Sequence, residues 1–364
     1  MSSMDYRVVC TNCRHAQGRG SFRCSRCNSI LEVKFDYSRL AIGKDFRKRR
    51  IDNSKYAQFF PVKKLFSRGR EGGTPLVSKA YDGKRVLLKL ETKNPTGSFK
   101  DRGSAVEISK AIEEGFDSIC CASTGNMGIS LARYSKLAGI DATIFIGADA
   151  KDEKKRKIRS FDAKVIDVDG DFNASLKIAE GFSRKTGAMV CGDYHYRKEG
   201  QKSVIFEILE QMKYRVPDFI FVPVGNATLL SAVYKGLVEF ERVSLISSFP
   251  RIVAVQAEGC APLVNAYSLG RRLSYVKPNT IADAIEVGYP TFWKEGLEAL
   301  KKTDGIGIKV SDDELVEAMS TLKTMGVGAE PGGGASFAGL VKMQAENGKM
   351  LEGKSVVAVI TGNN

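Results

Sequence analysis

Four cysteines, Cys10, Cys13, Cys24 and Cys27, form two Cys-x2-Cys pairs separated by ten residues. Each pair can sit on one tight knuckle, and two knuckles can close a tetrahedron of thiolates around zinc. Four thiolates leave no open coordination position, so such a zinc would be structural. A pair of redox dithiols is the alternative for the same spacing. A second constellation is residues 91–103, ETKNPTGSFKDRG, where a Pro-Thr-Gly-Ser turn places Lys100 in the first turn of a helix. The helix dipole there disfavours an ammonium, and a neutral amine is what a lysine needs to form a Schiff base. The plain alternative is a solvated lysine at a helix start.

Three more segments carry polar groups at the end of an apolar run. In ASTGNMG, residues 122–128, Ser123, Thr124 and Asn126 offer hydroxyl, amide and backbone donors to a carboxylate, or else simply cap a helix. In PVGNATLLSA, residues 223–232, the loop Gly225, Asn226, Ala227, Thr228 and Leu229 presents N–H groups suited to a phosphate, or is an ordinary connection. No Gly-Lys-Ser/Thr follows it, which argues against a nucleoside triphosphate. In VVAVITGNN, Thr361 directly follows the last apolar run, where its hydroxyl could meet a ring nitrogen.

The elements that must position these groups can be read from periodicity. Apolar runs predict strands at 86–90, 118–124, 142–147, 163–169, 218–225, 251–259 and 355–361. Helices are expected over 102–115 (apolar at Ala105, Ile108 and Ile112), 125–139 closed by Gly139, 172–187, 203–212, 226–240, 312–325 and 333–347. Strands alternate with helices and most strands are continuously apolar, which predicts parallel sheets covered on both faces. Ligands in such sheets bind where strands end and helices begin.

The motifs NPTGSFKDRG, ASTGN, RKEGQKS, PVGNA, EPGGGAS and ITGN occur in an order that resembles the pyridoxal-phosphate enzymes of fold type II. SFKDRG, EGQKS and the four-cysteine ribbon are most similar to the threonine-synthase branch, over about residues 8 to 364. The resemblance implies two open three-layer α/β domains plus a small N-terminal zinc ribbon. The expected division is 1–35 for the ribbon, 36–103 with 191–364 for a large cofactor domain, and 104–190 for a small domain. It implies pyridoxal 5′-phosphate bound to Lys100 as an aldimine, Asn126 on its ring oxygen, residues 225–229 around its phosphate, and Thr361 at its pyridine nitrogen. The implied reaction converts O-phospho-L-homoserine and water to threonine and phosphate, by γ-elimination and then β-addition of water. The implied substrate contacts are Ser123, Thr124, Asn126, Met127, Arg197 and Asn226, with Arg197 in YRKEGQKS as the phosphate arginine. Lys202 reads as a helix-surface lysine and His195 as a loop residue.

Several positions depart from the family's pattern. Met127 stands where the family has a hydroxyl, GDYHY (192–196) replaces Asn-Ser-x-Asn-Pro, and the phosphate loop continues Thr228-Leu229 instead of Gly-Asn. These departures keep a second enzyme reading open, dehydration or β-replacement on serine, threonine or phosphoserine.

The chain has 364 residues, 43% hydrophobic, enough for more than one core. No apolar run approaches the roughly 18 residues of a membrane span, and MSSMDYRVVC lacks the apolar stretch of a secretory signal. A cytoplasmic homodimer is expected, the dimer by resemblance alone. The clusters at 43–50 and 151–157 contribute much of the net charge of +14. Both clusters are expected to be solvated surface that suits anionic metabolites. Neither adjoins a recognition signature, so nucleic acid is not the expected partner, although a cofactor-binding protein with a nucleic-acid or protein partner is the reading from another class. Cys120, Cys121, Cys191 and Cys260 are expected to be core thiols.

Overall fold

A computed structural model describes residues 5–364 except residues 19, 41, 44–45, 67–69, 124, 149 and 171. The chain divides into two units, residues 1–73 with 100–203 and residues 74–99 with 204–364.

The first unit opens with a hairpin, β1 (Tyr6–Cys10) antiparallel to β2 (Leu31–Phe35). Its main sheet has four parallel strands in the order β7-β6-β5-β8. These are β5 (Ser118–Ser123), β6 (Asp141–Gly147), β7 (Lys164–Val168) and β8 (Met189–Cys191). Among the described residues, helices α1 (Lys100–Glu114), α2 (Asn126–Ala138), α3 (Asp152–Arg159), α4 (Phe172–Thr186) and α5 (His195–Gln201) accompany them. Strand β5 is buried from Ile119 to Ser123, the mark of a strand covered on both faces. Helix α2 ends at Gly139 in the left-handed region, as expected. Helix α1 packs against both α2 and α5 and is buried from Asp101 to Ala111. Its expected apolar position Ile112 is 46% exposed, because the buried stretch ends one residue earlier.

The second unit holds one six-stranded sheet in the order β11-β10-β9-β12-β4-β3. Strand β3 (Leu76–Tyr81) pairs antiparallel with β4 (Lys84–Leu90), while β9 (Phe219–Pro223), β10 (Arg251–Ala257), β11 (Ile306–Val310) and β12 (Val356–Ile360) complete a parallel array with β4. The sequence reading had no strand before β4. The extra strand arises because Asp82 and Gly83 both take positive φ (47° and 70°), a two-residue turn that twists neighbouring strands into register. Its helices are α6 (Ser203–Gln211), α7 (Thr228–Arg242), α8 (Pro262–Ser268), α9 (Trp293–Lys302), α10 (Asp312–Thr324) and α11 (Pro331–Asn347). Leu88, Phe221, Val255, Ala358 and Phe337 meet in its core. A capping box of Ser311 and Glu314 starts α10 and contributes about 1 kcal/mol.

This division differs from the expected one. Residues 1–73 and 191–203 group with 104–190. The ribbon segment touches the rest of this unit at two points: Arg23 Nε lies 2.9 Å from Glu180 Oε1 of α4, and the Phe22 and Tyr194 rings meet edge to face. The basic clusters also divide. Arg47–Arg50 are exposed, as expected, and Lys44 and Asp45 lie outside the described residues. Lys154 and Lys155 are buried, contrary to the expectation of solvated surface. Lys155 Nζ is held 2.6 Å from the Ala148 carbonyl and 2.7 Å from Asp167. Among the described residues no helix is long and apolar enough to cross a membrane.

Candidate functional site

Ser123, the loop 224–227 and Thr361 fall at carboxyl ends of the parallel strands β5, β9 and β12. Lys100 opens α1, and its side chain is 16% exposed. Burial pushes its pKa down, Asp193 opposes that shift, and Arg197 adds to it. The amine is therefore more readily neutral, and hence nucleophilic, than an ordinary lysine.

Arg197 lies on α5 and has no exposed side-chain surface. Its Nε donates to the Gly192 carbonyl (3.1 Å), Nη1 to the Lys100 carbonyl (3.1 Å), and Nη2 to Ser104 Oγ (3.1 Å) and to Glu107. Four of its five N–H groups are thus engaged within the first unit. The sequence reading expected a fork offered to a phosphate; the structure has that fork gripping Glu107 and two backbone carbonyls. Glu107 also accepts the Gly192 N–H (2.7 Å), and burial pushes its pKa up to about 7 although Arg197 pulls the other way.

Ser123 ends β5 and is buried. Its Oγ accepts the N–H groups of Gly125 (2.9 Å) and Gly128 (2.7 Å), which leaves its own proton to donate. Asn126 opens α2 directly after its cap residue Gly125, and Met127 behind it is buried. Thr124 lies outside the described residues. His195 is the buried first residue of α5, not a loop residue, with its ring centroid 4.1 Å from that of Tyr196. Lys202 is buried, not on the surface: its Nζ is 2.6 Å from Glu199 and 4.5 Å from the Phe35 ring centroid.

In the second unit, residues 224–227 join β9 to α7. Ala227 is the residue before α7, with φ 59°, and gives that helix no side-chain cap. The first N–H groups of a helix have no intrahelical partners, and the dipole makes that end attractive to anions. An uncapped start therefore suits a phosphate. Thr291, which the sequence reading missed, steadies this loop: its N–H and its hydroxyl each reach Asn226 Oδ1 at 3.1 Å. Leu229 is buried. Thr361 follows β12 and is buried; its N–H donates to the Gly333 carbonyl (3.1 Å) and its carbonyl accepts the Phe99 N–H (3.0 Å). Its hydroxyl has no hydrogen-bond partner among the described residues. A Cβ on Gly333 would overlap the Gly362 carbonyl oxygen, so only glycine lets α11 approach this turn.

The four N-terminal cysteines come together, with all their sulfurs within 4.8 Å of one another. The two knuckles share one geometry. Arg14 N–H donates to the Cys10 carbonyl and Asn28 N–H to the Cys24 carbonyl, and Arg14 and Asn28 both have positive φ (61° and 55°). Cys10 and Cys27 sulfurs lie 3.4 Å apart and Cys13 and Cys24 sulfurs 3.5 Å apart, near the roughly 3.8 Å edge of a zinc–thiolate tetrahedron. None is in a disulfide. The other four cysteines are buried as expected, and burial raises the Cys120 pKa to about 12, which keeps it inert.

Chemically, the first unit offers a desolvated amine beside Asp193 and Arg197 and, at the end of β5, a hydroxyl donor, and the second an uncapped helix start and a buried hydroxyl. Glu107 and Asp193 were missed because neither belongs to a motif; the only signal was the departure at 192–196.

The family described as pyridoxal-phosphate dependent enzyme matches residues 68–362. The chain is 34% identical to threonine synthase of Methanosarcina acetivorans, over 98% of this chain and 91% of that protein. It is 36% identical to threonine synthase of Methanocaldococcus jannaschii, over 93% of this chain and 87% of that protein. Maize serine racemase has a similar fold, with a TM-score of 0.69 and 24% identity over 80% of this chain and 88% of that one.

Proposed function

The chain belongs to the family of pyridoxal-phosphate dependent enzymes, and we propose that within it this protein is a threonine synthase. The reaction is the conversion of O-phospho-L-homoserine and water to L-threonine and phosphate, that of a carbon–oxygen lyase acting on a phosphate ester. The observation that carries this reading is likeness to a threonine synthase over 98% of the chain.

The residues present fit the cofactor. The lowered pKa of Lys100 suits covalent attachment to an aldehyde. The uncapped start of α7 suits the phosphate, through N–H groups of residues 225–229. The unpartnered hydroxyl of Thr361 suits a ring nitrogen, and Asn126 the ring oxygen. When bound, pyridoxal phosphate supplies an electron sink for charge developing on an amino-acid substrate.

The remaining roles belong to the chain. Ser123, Thr124 and Asn126 bind the substrate carboxylate, with Met127 behind them. The Lys100 amine, once released, moves protons at Cα and Cβ of the substrate. Asn226 and Arg197 are assigned to the departing phosphate, and for Arg197 that role requires giving up part of its hold on Glu107. The four cysteines hold a structural zinc; their separations and reduced state support this. A cytoplasmic homodimer accompanies the reading.

The test is to incubate the cofactor-loaded protein with O-phospho-L-homoserine and measure phosphate and threonine together, with Lys100→Ala as control. Equal amounts of both products, absent in the control, are expected; no phosphate release would overturn the reading. One observation favours a second reading. Arg197 is already paired with Glu107 and Lys100 with Asp193, an arrangement that suits a hydroxy amino acid without phosphate. Release of ammonia from serine or threonine in the same assay would support dehydration.

A further inference from the structure

Lys100 has an acidic neighbour to which the proposed chemistry assigns no role. Asp193 is buried in the turn between β8 and α5, and its Oδ1 lies 4.0 Å from Lys100 Nζ. That turn is held from two sides. The Gly192 N–H donates to Glu107, and the Gly192 carbonyl accepts from Arg197 Nε. The same guanidinium pairs with Glu107 and donates to the Lys100 carbonyl. One buried ion pair therefore ties the backbone of the lysine to the backbone that carries Asp193.

We propose that Asp193 is a positioning residue for Lys100, holding the lysine's ammonium form in place whenever the amine carries a proton, and that the Glu107–Arg197 pair holds Asp193 there. The inference rests on the reading of Lys100 as the cofactor lysine. No proton passes to Asp193. Its carboxylate offsets two influences that work against the ammonium, burial and the positive charge of Arg197. The other titratable groups facing Lys100 are Glu107, from its own helix, and the Cys121 thiol of β5. Cys121 is held neutral by burial, so it cannot replace the carboxylate. A lysine that must alternately lose and regain a proton works best when neither form is strongly disfavoured. Arg197 thus acts in part as a strut. This accounts for an arginine whose donors are turned to backbone carbonyls and a glutamate.

The test uses the cofactor-loaded full chain and reads the visible absorbance of the bound cofactor against pH, which follows protonation of the Lys100 nitrogen. In Asp193→Asn the midpoint is expected at lower pH than in wild type. Turnover should fall about tenfold or more in kcat, with KM less affected. Asp193→Glu should restore part of both. Glu107→Gln, which weakens the hold on the turn and removes a second negative charge near Lys100, should move the midpoint in the same direction. A midpoint unchanged in Asp193→Asn, or a loss confined to KM, would overturn the inference while leaving Lys100 as the cofactor lysine. Absence of any visible cofactor band in wild type would overturn the reading of Lys100 and this inference with it.

Discussion

Replacing Glu107 with glutamine should make the difference in stability from wild type depend on pH, with the variant gaining on wild type as pH rises from 5 to 8. Glu107 is buried beside Arg197, Gly192 and Cys191. Its pKa rises from 4.5 to about 7, first because burial disfavours the carboxylate, with Arg197 only partly offsetting that cost. Between these two pH values the folded chain keeps a proton that the unfolded chain has lost, so stability falls as pH rises. The contribution is fully present below about 4.5 and is lost as pH passes through about 7. At about 1.4 kcal/mol per tenfold change in proton affinity, the loss amounts to about 3 kcal/mol. Glutamine keeps the neutral shape at every pH and escapes it. Guanidinium titrations of both proteins at pH 5, 6, 7 and 8 measure the difference, in which the remaining titrating groups cancel. Between pH 5 and pH 8 the difference should move by roughly 2–3 kcal/mol in favour of the variant, whatever its value at pH 5. A difference independent of pH, or one that favours the wild type more at high pH, would refute the account of a carboxylate kept at a cost. Turnover of the variant should fall even over the pH range in which its stability gains on wild type, the trade expected of a group retained for function.

Two further outcomes follow from buried groups away from the lysine. Lys89 is buried in the second unit, with its Nζ 2.7 Å from Glu207, 3.0 Å from Gln211 and 2.8 Å from the Thr74 carbonyl. Lys89→Met should cost about 3–5 kcal/mol by leaving Glu207 charged and unpaired, measured by denaturant unfolding; a loss below about 1 kcal/mol would contradict that pairing. The cysteine cluster should yield one zinc per chain by elemental analysis, and a chelator or Cys13→Ser should remove it and lower the melting temperature. Protein free of metal as purified, with melting unaffected by chelator, would contradict a structural zinc.

What the sequence by itself determined was local. The knuckles need only two short spacings, and the matching positive φ at Arg14 and Asn28 shows each forming in the same way. Lys100 at the start of α1, Gly139 at the end of α2 and the uncapped start of α7 all follow from turn chemistry within a few residues. The long apolar strands were legible because full burial on both faces leaves an unbroken run. The three-residue β8 and the half-exposed β11 were missed because they carry no such run.

Only tertiary structure decided which charges meet. Glu107 and Arg197 are 90 residues apart and reach each other because α5 packs on α1. Nothing in the period of either helix marks that pair. Lys154, Lys155 and Lys202 look like solvated charge in the sequence, since a lysine is written the same way on a surface as in a core. Their burial depends on partners brought from elsewhere in the chain, such as Asp167 for Lys155 and Phe35 for Lys202. Motifs can mark where the chemistry lies because they are contiguous. The electrostatic environment that tunes Lys100 is assembled from α1, β5, α5 and the turn before it, and it exists only once those elements pack.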